Sequence, residues 1–258
     1  MRVSDDSEPK INSSFKALMK SIIALLALVS SGLVCGQSFE GALIYVADFT
    51  VEERMEKMGL TKDIMIAKMK EDGSYTDTIT VSYKQGNYRT ALNTHPASWN
   101  IYTAASNRIH TMQDGEASDI CTVMDASVDL EASMMGTIPT VQKLDTTVML
   151  GGAVCNIVRV KWKTGTYDYY YDPTRLTVDA SLFQGHVYDG WAEFLKISGV
   201  LPVQIVKTVK GMTTATQTLV SIKQEAIADE LFTIPTLIPD EELNVIKVAG
   251  KELMRIKR

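Results

Sequence analysis

Apolar and polar positions alternate along most of the chain from Ser38 onward. Phe39, Leu43 and Tyr45 lean to one face and Ile44 and Val46 to the other, which predicts a first strand buried on both sides. Thr50 then precedes Val51-Glu52-Glu53-Arg54, an N-cap pattern with Glu53 at the third helical position. Val51, Met55 and Met58 follow at i, i+4 and i+7. After Gly59, Thr61 can cap a second short helix carrying Met65 and Met69 one turn apart. From Thr76 to Lys84 the period is two, with Ile79, Val81 and Tyr83 on one face, and Gln85-Gly86-Asn87 turns the chain into Tyr88 to Leu92. Trp99, Ile101 and Thr103 begin another strand, and Ser106-Asn107 and Asp114-Gly115 punctuate the next two.

Asp125 to Met135 reads as a short helix. Thr147 to Leu150, Gly151-Gly152 and Ala153 to Lys163 form a hairpin, because two glycines supply the positive φ that a two-residue turn needs. Thr164-Gly165 leads into Tyr167 to Tyr171. The rhythm breaks between Asp172 and Leu201, where Trp191, Phe194 and Leu195 stand at i, i+3 and i+4 between Gly190 and Gly199. Val203 to Val209, Lys210-Gly211 and Thr213 to Ile222 make a last hairpin. The tail beyond Ile234-Pro235 is richer in proline and charge. The pattern describes a mainly β protein with a few short helices (α+β), with one domain over residues 37–236 and a C-terminal extension over 237–258.

The N-terminus adds a compartment. Ile22 to Val34 is an unbroken apolar and small-residue run, preceded by Lys16 and Lys20 and followed by Cys35-Gly36-Gln37. A basic start, a short apolar core and small residues at a cleavage site predict a secretory signal peptide over residues 1–36. The run is shorter than the roughly 20 residues a membrane-spanning helix needs. Asp5, Asp6 and Glu8 are out of place ahead of such a core, and a start at Met19 gives a cleaner signal. Lipidation at Cys35, as in an outer-membrane lipoprotein, is the weaker alternative, since Val34 stands where a small residue belongs. A periplasmic or secreted product follows, with no transmembrane segment after processing.

Removing residues 1–36 takes away four basic and three acidic residues and leaves 22 against 28, a net charge of −6. That acidity argues against nucleic acid, which selects a basic stripe. Cys121 and Cys155 remain, an even pair that suits either one disulfide or two buried thiols in an exported protein.

Little in the chain points to catalysis or to a bound cofactor. His95, His110 and His186 stand far apart and no pair has a metal-ligand spacing. Neither a Gly-rich phosphate cradle nor a Gly-x-Ser-x-Gly elbow occurs. Tyr167, Tyr169 and Tyr171 share one face of their strand and Asp168, Tyr170 and Asp172 the other. That arrangement reads as aromatic packing on a half-exposed sheet before it reads as a stacking platform or a carboxylate pair. Met55, Met58, Met65 and Met69 are more suggestive, because methionine adapts to variable apolar partners, although core filling explains them as well.

Several loose motifs carry a resemblance across nearly all of the mature chain. They are Gln37-Ser38-Phe39-Glu40-Gly41 after the signal, Gly151-Gly152-Ala153-Val154-Cys155-Asn156 opening a strand, Tyr169-Tyr170-Tyr171-Asp172, Leu201-Pro202-Val203, and Leu231-Phe232-Thr233-Ile234-Pro235. In these the chain resembles secreted domains placed with the periplasmic lipoprotein-carrier superfamily, the LolA/LppX-like half-barrels. The resemblance implies one curved antiparallel sheet closed incompletely around helices, a concave face that holds acyl chains, and no catalytic residues. It therefore implies a non-enzymatic envelope protein binding a lipid or a lipidated protein, and the chain's own helical spacing nominates Met55, Met58, Met65, Met69, Trp191, Phe194 and Leu195 as ligand contacts. The rival is a scaffold whose concavity is filled by its own helices, and a hydrolase with dispersed loop residues is the least favoured reading.

Overall fold

The computed structural model describes residues 38–244 and 248–257, so the expected signal peptide, Met19 and Cys35 lie outside the described residues. Six strands run consecutively, namely β1 (Gly41–Val51), β2 (Thr78–Lys84), β3 (Asn87–Leu92), β4 (Ser98–Thr103), β5 (Arg108–Gln113) and β6 (Ile120–Asp125). After them come β7 (Thr140–Lys143), β8 (Val148–Leu150), β9 (Ala153–Lys161), β10 (Gly165–Tyr171), β11 (Gln204–Val209) and β12 (Thr213–Lys223). The tail supplies β13 (Leu237–Pro239) and β14 (Lys251–Ile256). Four short helices interrupt them: α1 (Glu53–Lys57), α2 (Lys62–Glu71), α3 (Leu130–Met135) and α4 (Trp191–Ser198).

All pairs are antiparallel, in the order β13-β14-β6-β5-β4-β3-β2-β1-β12-β11-β10-β9-β7, with β8 attached to β9. The outermost strands do not pair with each other, so the sheet is an incomplete barrel, as its alternating patterns predict. Its inner face buries Leu43, Tyr45, Val81, Tyr102, Val158 and Tyr169 against α4, whose Trp191, Phe194 and Leu195 point inward. Among the described residues no helix is long and apolar enough to cross a membrane.

Local chemistry explains most elements. Gln85 and Gly86 both have positive φ (49° and 79°), which turns β2 into β3 between the partners Lys84 and Asn87. Thr61 Oγ1 accepts from Ile64 N at 3.4 Å and starts α2, as its sequence predicts. Two expectations fail in the same way. The helix expected from Thr50 begins only at Glu53, because Thr50 and Val51 pair with Thr214 and Thr213 and extend β1. The helix expected from Asp125 is confined to Leu130–Met135, since β6 runs on through Asp125, and Asp129 caps it by accepting from Ala132 N at 2.7 Å.

The expected C-terminal extension over 237–258 adds two strands to the sheet. β14 pairs with β6 and β13 with β14. Residues between β12 and β13 fold over the outer side of β4 to β6, where Ile227 and Phe232 bury a second core with Ile101, Met112, Cys121 and Val123. Lys84 Nζ donates to the Ile227 carbonyl at 2.6 Å and Glu40 Oε1 accepts from Ile227 N at 2.9 Å, fixing the crossing. Truncation after Thr236 is therefore expected to cost roughly 2–4 kcal/mol, the order for several half-buried apolar side chains. It should also promote self-association through the freed edge of β6. Urea denaturation beside size-exclusion chromatography checks this, and a truncated protein as stable and monodisperse as the full chain would refute it.

Candidate functional site

The Gly185–Trp191 segment holds the site together. Val187 N and Tyr188 N both donate to the Ala126 carbonyl (2.7 and 2.9 Å), and Asn107 Nδ2 donates to the Gly185 carbonyl at 2.8 Å. These bonds dock the segment against the end of β6. At its other end Asp189 and Gly190 are both left-handed (φ 58° and 69°), and a Cβ on Gly190 would lie 2.7 Å from Val160 Cγ2. Only glycine lets α4 start that close to β9.

A cavity of about 490 Å³ remains between the inner face and this segment. Ile79, Val81, Leu92, Ile109, Met124 and Ile205 give it an apolar wall. Polar groups gather at the other pole, where Tyr88 OH and His186 Nε2 lie 2.8 Å apart and Lys207 Nζ pairs with Asp189 Oδ2 at 3.1 Å. Lys207 also sits 4.5 Å above the Tyr167 ring, and Tyr169 OH donates to the Asp189 carbonyl at 2.8 Å.

Burial sets the protonation states at this pole. It pulls His186 down from 6.5 to about 4, against the weaker pull of the His186 and Tyr188 backbone groups, so the imidazole is neutral near pH 7. Burial also raises the hydroxyls of Tyr45, Tyr88 and Tyr169, which stay protonated. Lys207 is opposed by burial, yet the Asp189 carboxylate and Tyr167 together lift it above its usual range. Among the described residues three buried side-chain polar atoms have no hydrogen-bond partner: His186 Nδ1 and Trp191 Nε1, on residues of the cavity wall, and His110 Nδ1, on a β5 residue outside that wall. Among the described residues no group of three or more His, Cys, Asp or Glu converges to hold a metal ion.

The nominated contacts separate into three groups. Trp191 lines the cavity, whereas Phe194 and Leu195 are wholly buried in the core behind it. Met65 and Met69 face an adjoining recess of about 300 Å³ with Phe49 and Tyr75, and this recess shares Ile79 and Gln217 with the main cavity. Met55 is half-buried and Met58 is 67% exposed, and neither lines the cavity or its adjoining recess. The tyrosine strand packs as aromatic core: Tyr169 stacks on Phe194 (4.6 Å between centroids), and on the other face Asp168 takes both arms of Arg159 at 2.6 Å.

Cys121 and Cys155 are free thiols, which corrects the disulfide alternative and leaves the alternative of two buried thiols. Cys121 belongs to the outer core on β6 and Cys155 to β9, with eight strands between them in the sheet order. Burial pushes Cys121 up to about 11 and, with Asp172 adding to it, raises Cys155 as well. Both thiols should resist alkylation in the native protein and react without reduction once it is denatured, as counted by mass spectrometry.

His186, Tyr88, Asp189 and Lys207 went unselected by sequence reasoning. Their one signal is the polar and aromatic run His186-Val187-Tyr188-Asp189 held between Gly185 and Gly190.

The fold and site together define an open antiparallel half-barrel with a plugged, partly empty concavity. No family model matches this chain, and no curated protein matches it. Solved structures of PNGF-II in two crystal forms share 11% and 10% identity with it over 75% and 74% of this chain, at a TM-score of 0.38 in both cases. The chain spans only 30% and 29% of those structures' length, and a likeness at that overlap carries no argument about activity.

Proposed function

We propose that this chain is an exported, non-enzymatic binding protein of the cell envelope that holds an apolar group in the concave face of its half-barrel. That group is a lipid or the acyl chain of a lipidated protein. The carrying observation is the cavity of about 490 Å³ left between the sheet and the Gly185–Trp191 segment. Its size falls within the roughly 300–1,000 Å³ of sites for single small ligands. Its aliphatic wall favours alkyl groups, each methylene gaining about 0.8 kcal/mol on burial. The loose motifs in which the chain resembles the lipoprotein-carrier half-barrels, and the apolar run ahead of Gln37, support the same reading.

Titration with a fluorescent fatty acid tests it, together with solvent extraction and mass spectrometry of protein purified from its native envelope. Saturable binding displaced by unlabelled fatty acid is expected, and its absence overturns the proposal. Intact mass tests export separately: a chain beginning at Gln37 is expected, and a mass for acylated Cys35 would replace a free product with a lipid-anchored one. The scaffold reading keeps one specific support, the complete burial of Phe194 and Leu195 in the protein's own core. It predicts no probe binding at all.

A further inference from the structure

We infer that the cavity takes an anionic amphiphile, a single alkyl chain bearing a carboxylate or phosphate monoester head, and reads that head at Trp191, His186 and the two lysines of its wall. The inference rests on the apolar-ligand reading and adds to it what the cavity's polar pole selects.

Donors at the pole are left without acceptors, because the carboxylate there, Asp189, is engaged by Lys207. Trp191 Nε1 is buried without a partner, and an indole can only donate. His186, 2% exposed, has its Nε2 engaged by the Tyr88 hydroxyl at 2.8 Å. A tyrosine O–H that donates to Nε2 leaves the imidazole proton on Nδ1, and that atom is unpartnered too. Trp191 Nε1 is therefore a buried donor that awaits an acceptor, His186 Nδ1 is a second in the tautomer whose Nε2 accepts from Tyr88, and leaving such groups unmatched is unfavourable.

Charge points the same way. Asp189 is the one carboxylate among the described residues that line the cavity, and Lys207 already occupies it at 3.1 Å. Lys251, exposed at the rim on β14, forms no ion pair among the described residues. The wall thus presents two lysines against one aspartate, one net positive charge beside the unmatched Trp191 donor. A monoanion with several acceptor oxygens complements that set, whereas a plain hydrocarbon or an alcohol leaves most of it unanswered. The aliphatic residues of the opposite wall accommodate the chain of the same molecule.

The experiment is displacement of a neutral apolar fluorophore, N-phenyl-1-naphthylamine, from the purified full chain by dodecanoate, dodecyl phosphate and dodecanol. The two anions are expected to bind about tenfold tighter than the alcohol, the order for hydrogen bonds to a charged group. Trp191→Phe, which keeps an aromatic ring and removes the donor, and Lys251→Gln, at an exposed position, should each weaken the anions several-fold and leave dodecanol unchanged. An unchanged thermal midpoint for Lys251→Gln shows that this comparison is made on folded protein. A preference for dodecanoate assigns the head to fatty acids and one for dodecyl phosphate to phospholipid-derived anions, and both support the inference. Dodecanol binding as tightly as the anions, or variants that weaken all three alike, would overturn it. Displacement by none of the three overturns the apolar-ligand reading itself.

Discussion

Phe194→Ala is expected to lower the unfolding free energy by about 3–5 kcal/mol, the range for a large aromatic truncation in a packed core. Phe194 is fully buried, stacks on Tyr169 at 4.6 Å, meets Tyr171 edge-on at 6.1 Å and touches Trp191 at 5.4 Å. Aromatic pairs of this kind add about 0.5–1.5 kcal/mol beyond their buried area. Trp191→Ala should cost less although the side chain is larger, because one side of Trp191 already faces empty space and has fewer contacts to lose. Urea titration of both variants with unchanged slopes measures the difference. A Phe194→Ala loss below about 1 kcal/mol would mean that α4 is not packed as described.

Mild acid should weaken the fold through His186. Its folded value is depressed to about 4 against 6.5, so the unfolded chain takes up a proton first as pH falls. The stability that the neutral imidazole represents is fully present above pH 6.5 and is lost progressively down to about pH 4. At 1.36 kcal/mol per pH unit the loss across that window is about 3 kcal/mol. His110 is lowered as well, chiefly by burial, and it lies outside the cavity, so a His186→Gln variant isolates the His186 contribution. The variant should show a flatter stability profile between pH 6.5 and 4. Carboxylates such as Asp72 and Asp179, held low by their Ser74 and Ser181 hydrogen bonds, lose their contribution only in stronger acid. Identical profiles for variant and parent would exclude His186 as the source.

Much of the sheet is legible in the chain because one face of each strand meets a continuous core. Ile79, Val81 and Tyr83 alternate and are all buried, and the Gly151-Gly152 turn sits between β8 and β9. The i, i+3, i+4 set of Trp191, Phe194 and Leu195 marks the buried face of α4. Where the reading failed, a distant partner had outweighed local preference. Thr50-Val51 looks like a helix start until β12 pairs with it. Lys251-Glu252-Leu253-Met254-Arg255-Ile256 looks too charged for a strand until β6 takes one edge and the outer core receives Met254 and Ile256. The cavity was the least legible feature. Empty space depends on what the docked segment fails to fill, and its polar pole is assembled from single residues on β3, β11 and the Gly185–Trp191 segment without a shared period. The methionines announced themselves by composition, yet only Met65 and Met69 reach a recess beside it.

The seam between β1 and β12 sets an order of events for a chain that emerges from its N-terminus. β1 to β6 form one consecutive meander and β9 to β12 another, each pairing strands that follow one another in the chain. Joining them pairs Val51 with Thr213 and Ala42 with Lys223, a span of about 160–180 positions, and contacts so distant in sequence are slow to form. Until β12 arrives, β1 presents an unpaired backbone edge, with Val46 and Phe49 among its side chains, to any other extended chain nearby. The half-finished sheet is thus most prone to aggregation while its first strand waits for its twelfth. A holdase that protects this protein would act in that interval, and on that edge.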